Sequence, residues 1–255
     1  MILVFSPHLD DAVFSCGGLL GQLSGELVRV VTCFTRSVPD PQGFALACQL
    51  DKGLAPGVDY MALRRAEDEK AMELLGLHPE HWDLPEAPHR GYESAPALFA
   101  GVHADDTIQE ELRQRVASAI YDYRPLTIFY PLGAGNHADH LQVIQAVKSL
   151  KKYWEQVDFV QYYDQPYTHR HPTAYAEIDA ATPLHTSKKL PAKQTLGYSL
   201  PPATLQTKYA ACLAYATQIG FQFKDRHGME NLLGDREYYR TTHASLRPLA
   251  YGAGS

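Results

Sequence analysis

Residues 2–18 read I-L-V-F-S-P-H-L-D-D-A-V-F-S-C-G-G. Ile2 to Phe5 is a continuous apolar run, the pattern of a parallel strand buried on both faces. The run stops at Ser6-Pro7, and from Ala12 to Leu23 the residues Val13, Leu19, Leu20 and Leu23 form a helical stripe. His8, Asp10 and Asp11 therefore fall where a strand gives way to a helix. Carboxylates crowded at such a junction are costly unless something positive sits among them.

The same strand-then-helix unit recurs downstream. Leu27 to Phe34 is β-branched and strand-like, and Leu126 to Tyr130 and Phe159 to Tyr163 read the same way. His81 to Leu84 is a short further candidate. Apolar residues at helical spacing mark Met61 to Leu75, which ends at Gly76, a C-cap signal. Thr107 to Tyr121, His140 to Trp154 and Thr204 to Ile219 are helical by the same criterion, with Asp105-Asp106 read as capping the first of these. Residues 35–60 and 85–105 are rich in turn formers, with a helical turn expected near Phe44 to Leu50. Strands alternating with helices predict an α/β fold, Rossmann-like, with a mostly parallel sheet flanked by helices in a single domain over residues 1–255. In such sheets ligands bind beyond the carboxyl ends of the strands. His8, Asp10 and Asp11 occupy that position.

A second polar cluster stands in the equivalent place after a later strand. L-T-I-F-Y at 126–130 is followed by P-L-G-A-G-N-H-A-D-H, carrying His137, Asp139 and His140. If the two strands are neighbours, the clusters meet. Imidazoles and carboxylates converging in a cleft suit zinc, iron or manganese, with a spare carboxylate free to act as a general base on water. The competing reading is plain. An Asp before a helix is most often an N-cap, and an isolated histidine pair is weak evidence. Two such clusters, each after a buried strand, favour the metal site.

Composition narrows the function. The chain has 255 residues, 45% hydrophobic, 20% charged, with a net charge of −6. No basic excess points to nucleic acid or an anionic membrane surface. No apolar stretch approaches the ~20 residues of a membrane span. No basic segment precedes the strand-like start, so no signal peptide is expected and a cytoplasmic location is. Cys16, Cys33, Cys48 and Cys212 are scattered without a CxxC pair, against a disulfide framework or a thiolate zinc site. Gly17-Gly18 lacks a GxGxxG context and reads as tight packing. Arg64 reads as a solvated helix charge, Glu67 as the partner of an arginine on the next turn, and Trp82 and Trp154 as packing residues. His169-Arg170-His171 reads as an exposed loop, and Tyr167 as a candidate sugar-stacking residue.

These segments together resemble the LmbE-like/PIG-L family of zinc-dependent N-deacetylases. Ser6 to Gly18 is similar to the family's first signature, H-P-D-D-A followed by paired glycines. His137-Ala138-Asp139-His140 is similar to its second, H-P-D-H. Leu63 to Leu77 resembles its R-R-x-E helix ending in L-G, and Tyr162 to Tyr167 and Lys208 to Ile219 resemble later segments. Leu9 and Ala138 depart from the common prolines at positions that are not ligands. The resemblance implies His8, Asp11 and His140 as ligands of one Zn2+ per chain, with Fe2+ or Mn2+ as substitutes. It implies Asp10 as general base. His137 would stabilise the oxyanion and help protonate the leaving amine, and Asp139 would orient a histidine. Arg65 would bind substrate or brace Asp10. The expected activity is removal of the N-acetyl group from an N-acetylglucosamine-type sugar or its conjugate, a small-molecule substrate. The alternatives are another metal hydrolase, such as a phosphoesterase with a second metal, and a non-catalytic sugar-binding protein of the same fold. The oligomeric state, a homo-oligomer included, is left open, and specificity is expected in the loops at 35–60 and 85–105.

Overall fold

A computed structural model describes residues 1–23, 27–183 and 195–241. The elements run β1 (Ile2–Ser6), α1 (Asp11–Gln22), β2 (Val28–Thr32), α2 (Gly43–Leu50), α3 (Tyr60–Leu74), β3 (Pro79–His81), α4 (Ala95–Leu98) and α5 (Ile108–Tyr123). They continue with β4 (Thr127–Pro131), α6 (Ala138–Leu150), β5 (Asp158–Tyr162), α7 (Tyr167–Arg170), α8 (Pro172–Asp179) and β6 (Thr182–Pro183). The last are β7 (Thr195–Ser199), α9 (Pro202–Leu213), α10 (Ala216–Phe223), α11 (Arg226–Leu233) and β8 (Arg236–Thr241).

One sheet holds the strands in the order β3-β2-β1-β4-β5-β8-β7-β6. From β3 to β5 every pair is parallel, while β8 runs antiparallel to both β5 and β7. β1 is buried along its whole length, as its uninterrupted apolar run requires. Its side chains alternate between two cores. Ile2 and Val4 join the layer of α1, α3, α9 and α11, whereas Leu3 and Phe5 join the layer of α5 and α6. Full burial of each such side chain stabilises by about 1.5–3 kcal/mol.

The strand order positions the site. The chain leaves β1 toward β2 on one side, and β4 pairs with β1 on the other, in the register Val4↔Phe129. This is the point where the winding direction reverses, and a crevice opens there beyond the strand ends. The turns after β1 and β4 flank that crevice.

The structure amends several expectations. The third strand lies at 79–81 rather than 81–84. The weakly patterned region after Tyr163 adds β6, β7 and β8 to the sheet. The single late helix expected over 204–219 is two, α9 and α10, separated where Tyr215 leaves helical geometry (ψ 60°). His169 and Arg170 belong to α7 rather than to a loop, and Arg170 donates to Gln222 on α10. Trp82 is core and Trp154 packs against it. Gly18 is where α1 meets its neighbours: a Cβ there would stand 2.6 Å from Leu200 Cδ1. The Gly18 and Leu19 N–H groups donate to Glu237 on β8 at 2.7 and 2.9 Å.

Candidate metal centre and cleft

The first cluster is built by the turn between β1 and α1. Ser6 Oγ accepts from Ala12 N–H (3.1 Å) and donates to His8 O (2.7 Å), which folds the turn back on itself. Asp10 stands at the N-cap of α1, yet its side chain makes no capping hydrogen bond. The ordinary reason for an Asp at this position is thereby absent. Instead its carboxylate lines the cleft, 3.6 Å from Arg64 Nη2.

The second cluster is aimed by the turn after β4. Gly133 (φ +93°) turns the chain in a conformation that disfavours side chains, and a Cβ there would lie 2.6 Å from Ile144 Cδ1. His137 then takes the N-cap of α6, its Nδ1 accepting from Asp139 N–H at 3.2 Å. His140, one turn into α6, points back across the crevice.

The clusters meet. Asp11 Oδ2 lies 3.1 Å from His8 Nδ1 and 3.2 Å from His140 Nε2. His8, Asp11 and His140 thus place three ligand atoms within 4.8 Å of one another, all buried. Among the described residues the buried His140 Nε2 has no hydrogen-bond partner, which a ring nitrogen inside a protein rarely tolerates. An oxygen-and-nitrogen donor set with one unsatisfied imidazole nitrogen fits a divalent transition metal. A second trio, His8, His137 and Asp139, is equally close. It shares His8, however, and the Asp139 oxygens already accept from Arg90 Nη2 (2.7 Å) and Ala87 N–H (3.0 Å).

Each histidine of the first trio has a carboxylate behind it. His8 Nε2 meets Asp139 Oδ2 at 2.9 Å, and His140 Nδ1 meets Asp164 Oδ1 at 2.6 Å. Asp164 Oδ2 accepts from Gly133 N–H (2.7 Å) and Ala134 N–H (3.2 Å). Such partners fix ring orientation and raise ligand basicity. Asp164, in the Tyr162–Tyr167 segment, was not read as a site residue from the sequence; a lone buried Asp at a strand end was its only signal.

The charges shift as the geometry dictates. Burial pushes the Asp10 carboxyl up to about 6, with Arg64 opposing and Asp11 adding to it. Burial alone would also raise Asp11, but His140 and His8 outweigh it and hold Asp11 well below the carboxylate range. Burial lowers His8 and His140, yet their carboxylates prevail and raise both. At His137 burial and the neighbouring His8 outweigh Asp139 and drive the ring well below the ordinary value.

The arginines correct the sequence reading. Arg65 does not line the cleft: it donates to Thr35 O (2.6 Å) and Ser37 Oγ (3.0 Å), tying down the loop after β2. Arg64, read as a solvated charge, is buried in the cleft between Asp10 and Glu86, 2.5 Å from the latter. Among the described residues Glu67 pairs with no arginine; it accepts from the N–H and hydroxyl of Thr217. Asp106 accepts from Ile108 N–H as a cap would, but it also receives Arg90, Tyr92 and Gln142. Tyr167 lines the cleft, its ring edge-on to His140 at 5.2 Å, with Phe99 5.8 Å away. Phe44, Leu98 and Phe221 also line the cleft. Among the described residues, no helix is long and apolar enough to cross a membrane.

Comparison with known proteins identifies a family. The PIG-L family, described as GlcNAc-PI de-N-acetylase, matches residues 3–151. A 2'-N-acetylparomamine deacetylase of Streptomyces fradiae is 35% identical over 150 residues, 57% of this chain. The chain spans about half the length of that relative (50%). A deacetylase–bog complex from the teicoplanin biosynthesis pathway superposes with a TM-score of 0.71 at 26% identity, covering 96% of this chain and 99% of that one. A deacetylase–teicoplanin complex gives 0.71 at 25%, covering 94% and 97%. The family match runs from β1 to the end of α6 and so takes in both histidine–aspartate clusters, and by it this chain belongs to the PIG-L family.

Proposed function

We propose that this protein is a divalent-metal-dependent N-deacetylase that hydrolyses the acetamido group of an amino sugar or its conjugate. The observation that carries the reading is the buried Nε2 of His140, without a hydrogen-bond partner among the described residues, facing Asp11 and His8 beside an Asp10 whose side chain makes no capping bond. His8, Asp11 and His140 would hold one cation, zinc by preference for this donor set, with Fe2+ or Mn2+ as substitutes. Bound there, such an ion activates water and polarises the amide carbonyl.

The chain's own groups supply the rest. Asp10 accepts one proton of the attacking water and delivers it to the departing nitrogen as the C–N bond breaks; the water's second proton leaves with the acid, so acetic acid and the free amine form, acetate and the ammonium at neutral pH, with no net proton change at the protein. His137 accepts at Nδ1 from Asp139 N–H, which leaves the neutral ring's proton on Nε2 as a donor toward the carbonyl oxygen as charge develops on it. Asp139 holds His8 in orientation. Arg64, in the place assigned from sequence to Arg65, keeps a positive charge beside Asp10. Tyr167 and Phe99 offer ring faces for a sugar. The relatives' names support an N-acetylglucosaminide or an N-acetylated aminoglycoside as substrate.

The test is amine release from N-acetylglucosamine, chitobiose, an N-acetylglucosaminyl glycoside and 2'-N-acetylparomamine, with zinc added and Asp10→Asn alongside. Release that disappears in the variant is expected. Release unchanged in Asp10→Asn removes the base assignment. No release from any substrate, by protein binding one zinc per chain, removes the amino-sugar reading.

A further inference from the structure

Arg90 was not singled out by any motif, yet its side chain is 8% exposed and every nitrogen of it is engaged. Nε and Nη2 form a fork on the two oxygens of Asp106 at 3.1 and 3.0 Å. Nη1 donates to Pro85 O at 2.5 Å, and Nη2 reaches Asp139 Oδ1 at 2.7 Å. The guanidinium lies 4.9 Å from the centre of the Phe34 ring. Asp106 is fixed in turn by the Tyr92 hydroxyl (3.0 Å) and Gln142 Nε2 (3.1 Å). The guanidinium is therefore locked in one orientation, with a single N–H aimed at Asp139.

The other end of Asp139 meets His8. Its Oδ2 accepts from Ala87 N–H (3.0 Å) and lies 2.9 Å from His8 Nε2. A carboxylate surrounded by donors can only accept, so the His8 proton on that side sits on Nε2 and Nδ1 is the nitrogen turned to Asp11. The equivalent carboxylate behind His140 is held by two backbone amides, which a side-chain change cannot remove. The one behind His8 has a single backbone amide, that of Ala87, on Oδ2, and its other oxygen depends on a side chain.

We propose that Arg90, braced by Asp106, is a positioning residue: through Asp139 it fixes the ring of His8 so that Nδ1 is presented to a divalent cation. This rests on the reading of His8 as a cation ligand. Partners at this remove typically change metal affinity by ~10–100-fold. Removal of the guanidinium leaves Asp139 Oδ1 without its charged donor and lets the carboxylate turn away from His8.

The experiment is a competition titration of zinc against a chromophoric chelator, on wild type, Arg90→Met, Arg90→Lys and Asp106→Asn, with a visible spectrum of each loaded with cobalt(II). Wild type should bind one equivalent. Arg90→Met should bind roughly 10–100-fold more weakly with altered cobalt bands. Arg90→Lys should recover part of the affinity, and Asp106→Asn should fall between. Asp106→Asn and Arg90→Lys carry the test if Arg90→Met does not fold. Affinities within twofold of wild type, with unchanged cobalt spectra, overturn the proposal even if the variants melt lower. Wild type that binds no zinc removes the metal reading itself, and the proposal with it.

Discussion

Arg64 offers the sharpest test of how the cleft is tuned. Its guanidinium and the Asp10 carboxylate are 3.6 Å apart, with side chains only 6% and 7% exposed. At an effective dielectric of about 20, that separation corresponds to an attraction of about 4–5 kcal/mol, or about three pH units of Asp10 ionisation. Glu86 competes for the same guanidinium at 2.5 Å, so this is an upper bound. Burial already holds Asp10 near 6 with Arg64 present. Arg64→Met should therefore carry the acid limb of the pH–rate profile upward by as much as about three pH units. A bound cation moves the limbs of variant and wild type down together, so their separation is the quantity to read. One pH unit above the wild-type midpoint, the variant should be slower by up to roughly 100-fold. At its own midpoint it should come within about twofold. Arg64→Lys retains the charge and should move the limb much less. Steady-state rates from pH 5 to pH 10, with circular dichroism as a control on folding, decide the matter. A loss of the same size at every pH would refute the reasoning and make Arg64 a substrate contact or a packing residue.

Asp10→Asn should stabilise the cation-free protein. The Asp10 carboxyl is raised to about 6, so wild type loses stability as pH rises from about 4 to about 6 and the variant does not. The difference should approach about 3 kcal/mol above pH 6, vanish below pH 4, and show as a higher melting temperature in chelator. Equal melting at pH 8 would contradict it. His140→Ala should abolish tight zinc binding, whereas His137→Ala should bind zinc as wild type does and lose turnover; equilibrium dialysis with amine-release assays separates the two. Behind α1, Lys208 and Glu237 form a fully buried ion pair at 2.8 Å. Lys208→Met should cost about 3–5 kcal/mol by leaving that carboxylate buried and uncompensated. The double variant Lys208→Met/Glu237→Gln should be more stable than Lys208→Met alone; urea unfolding showing additive losses would count against this.

The sequence by itself determined the inner sheet and the two clusters. Ile2–Phe5 is apolar without interruption, and Ile128–Tyr130 nearly so, because both faces of their strands are covered, and a residue just past such a strand must lie at the strand ends. His8, Asp10, Asp11, His137, Asp139 and His140 were legible for that reason. The partners of these residues were not. Local periodicity reports which residues share a face, not which distant residue arrives against it: Asp164 reaches His140 directly, and Asp106 holds Arg90, which reaches His8 through Asp139, each from a separate loop. The choice between Arg64 and Arg65 is of the same kind. The buried stripe of α3 is Met61, Arg64, Asp68, Ala71 and Met72, while Leu63 and Leu74 are 41% and 45% exposed. Hydrophobicity therefore points to the wrong face of that helix, because its buried face carries charges that the cleft, Tyr215 and His81 satisfy. β8 was hidden likewise. Its inward positions are Glu237, Tyr239 and Thr241, and the alternation is visible only once Lys208 and the two amides of α1 meet that carboxylate. A buried charge is neutralised by whatever the fold brings to it, and that pairing is decided in three dimensions.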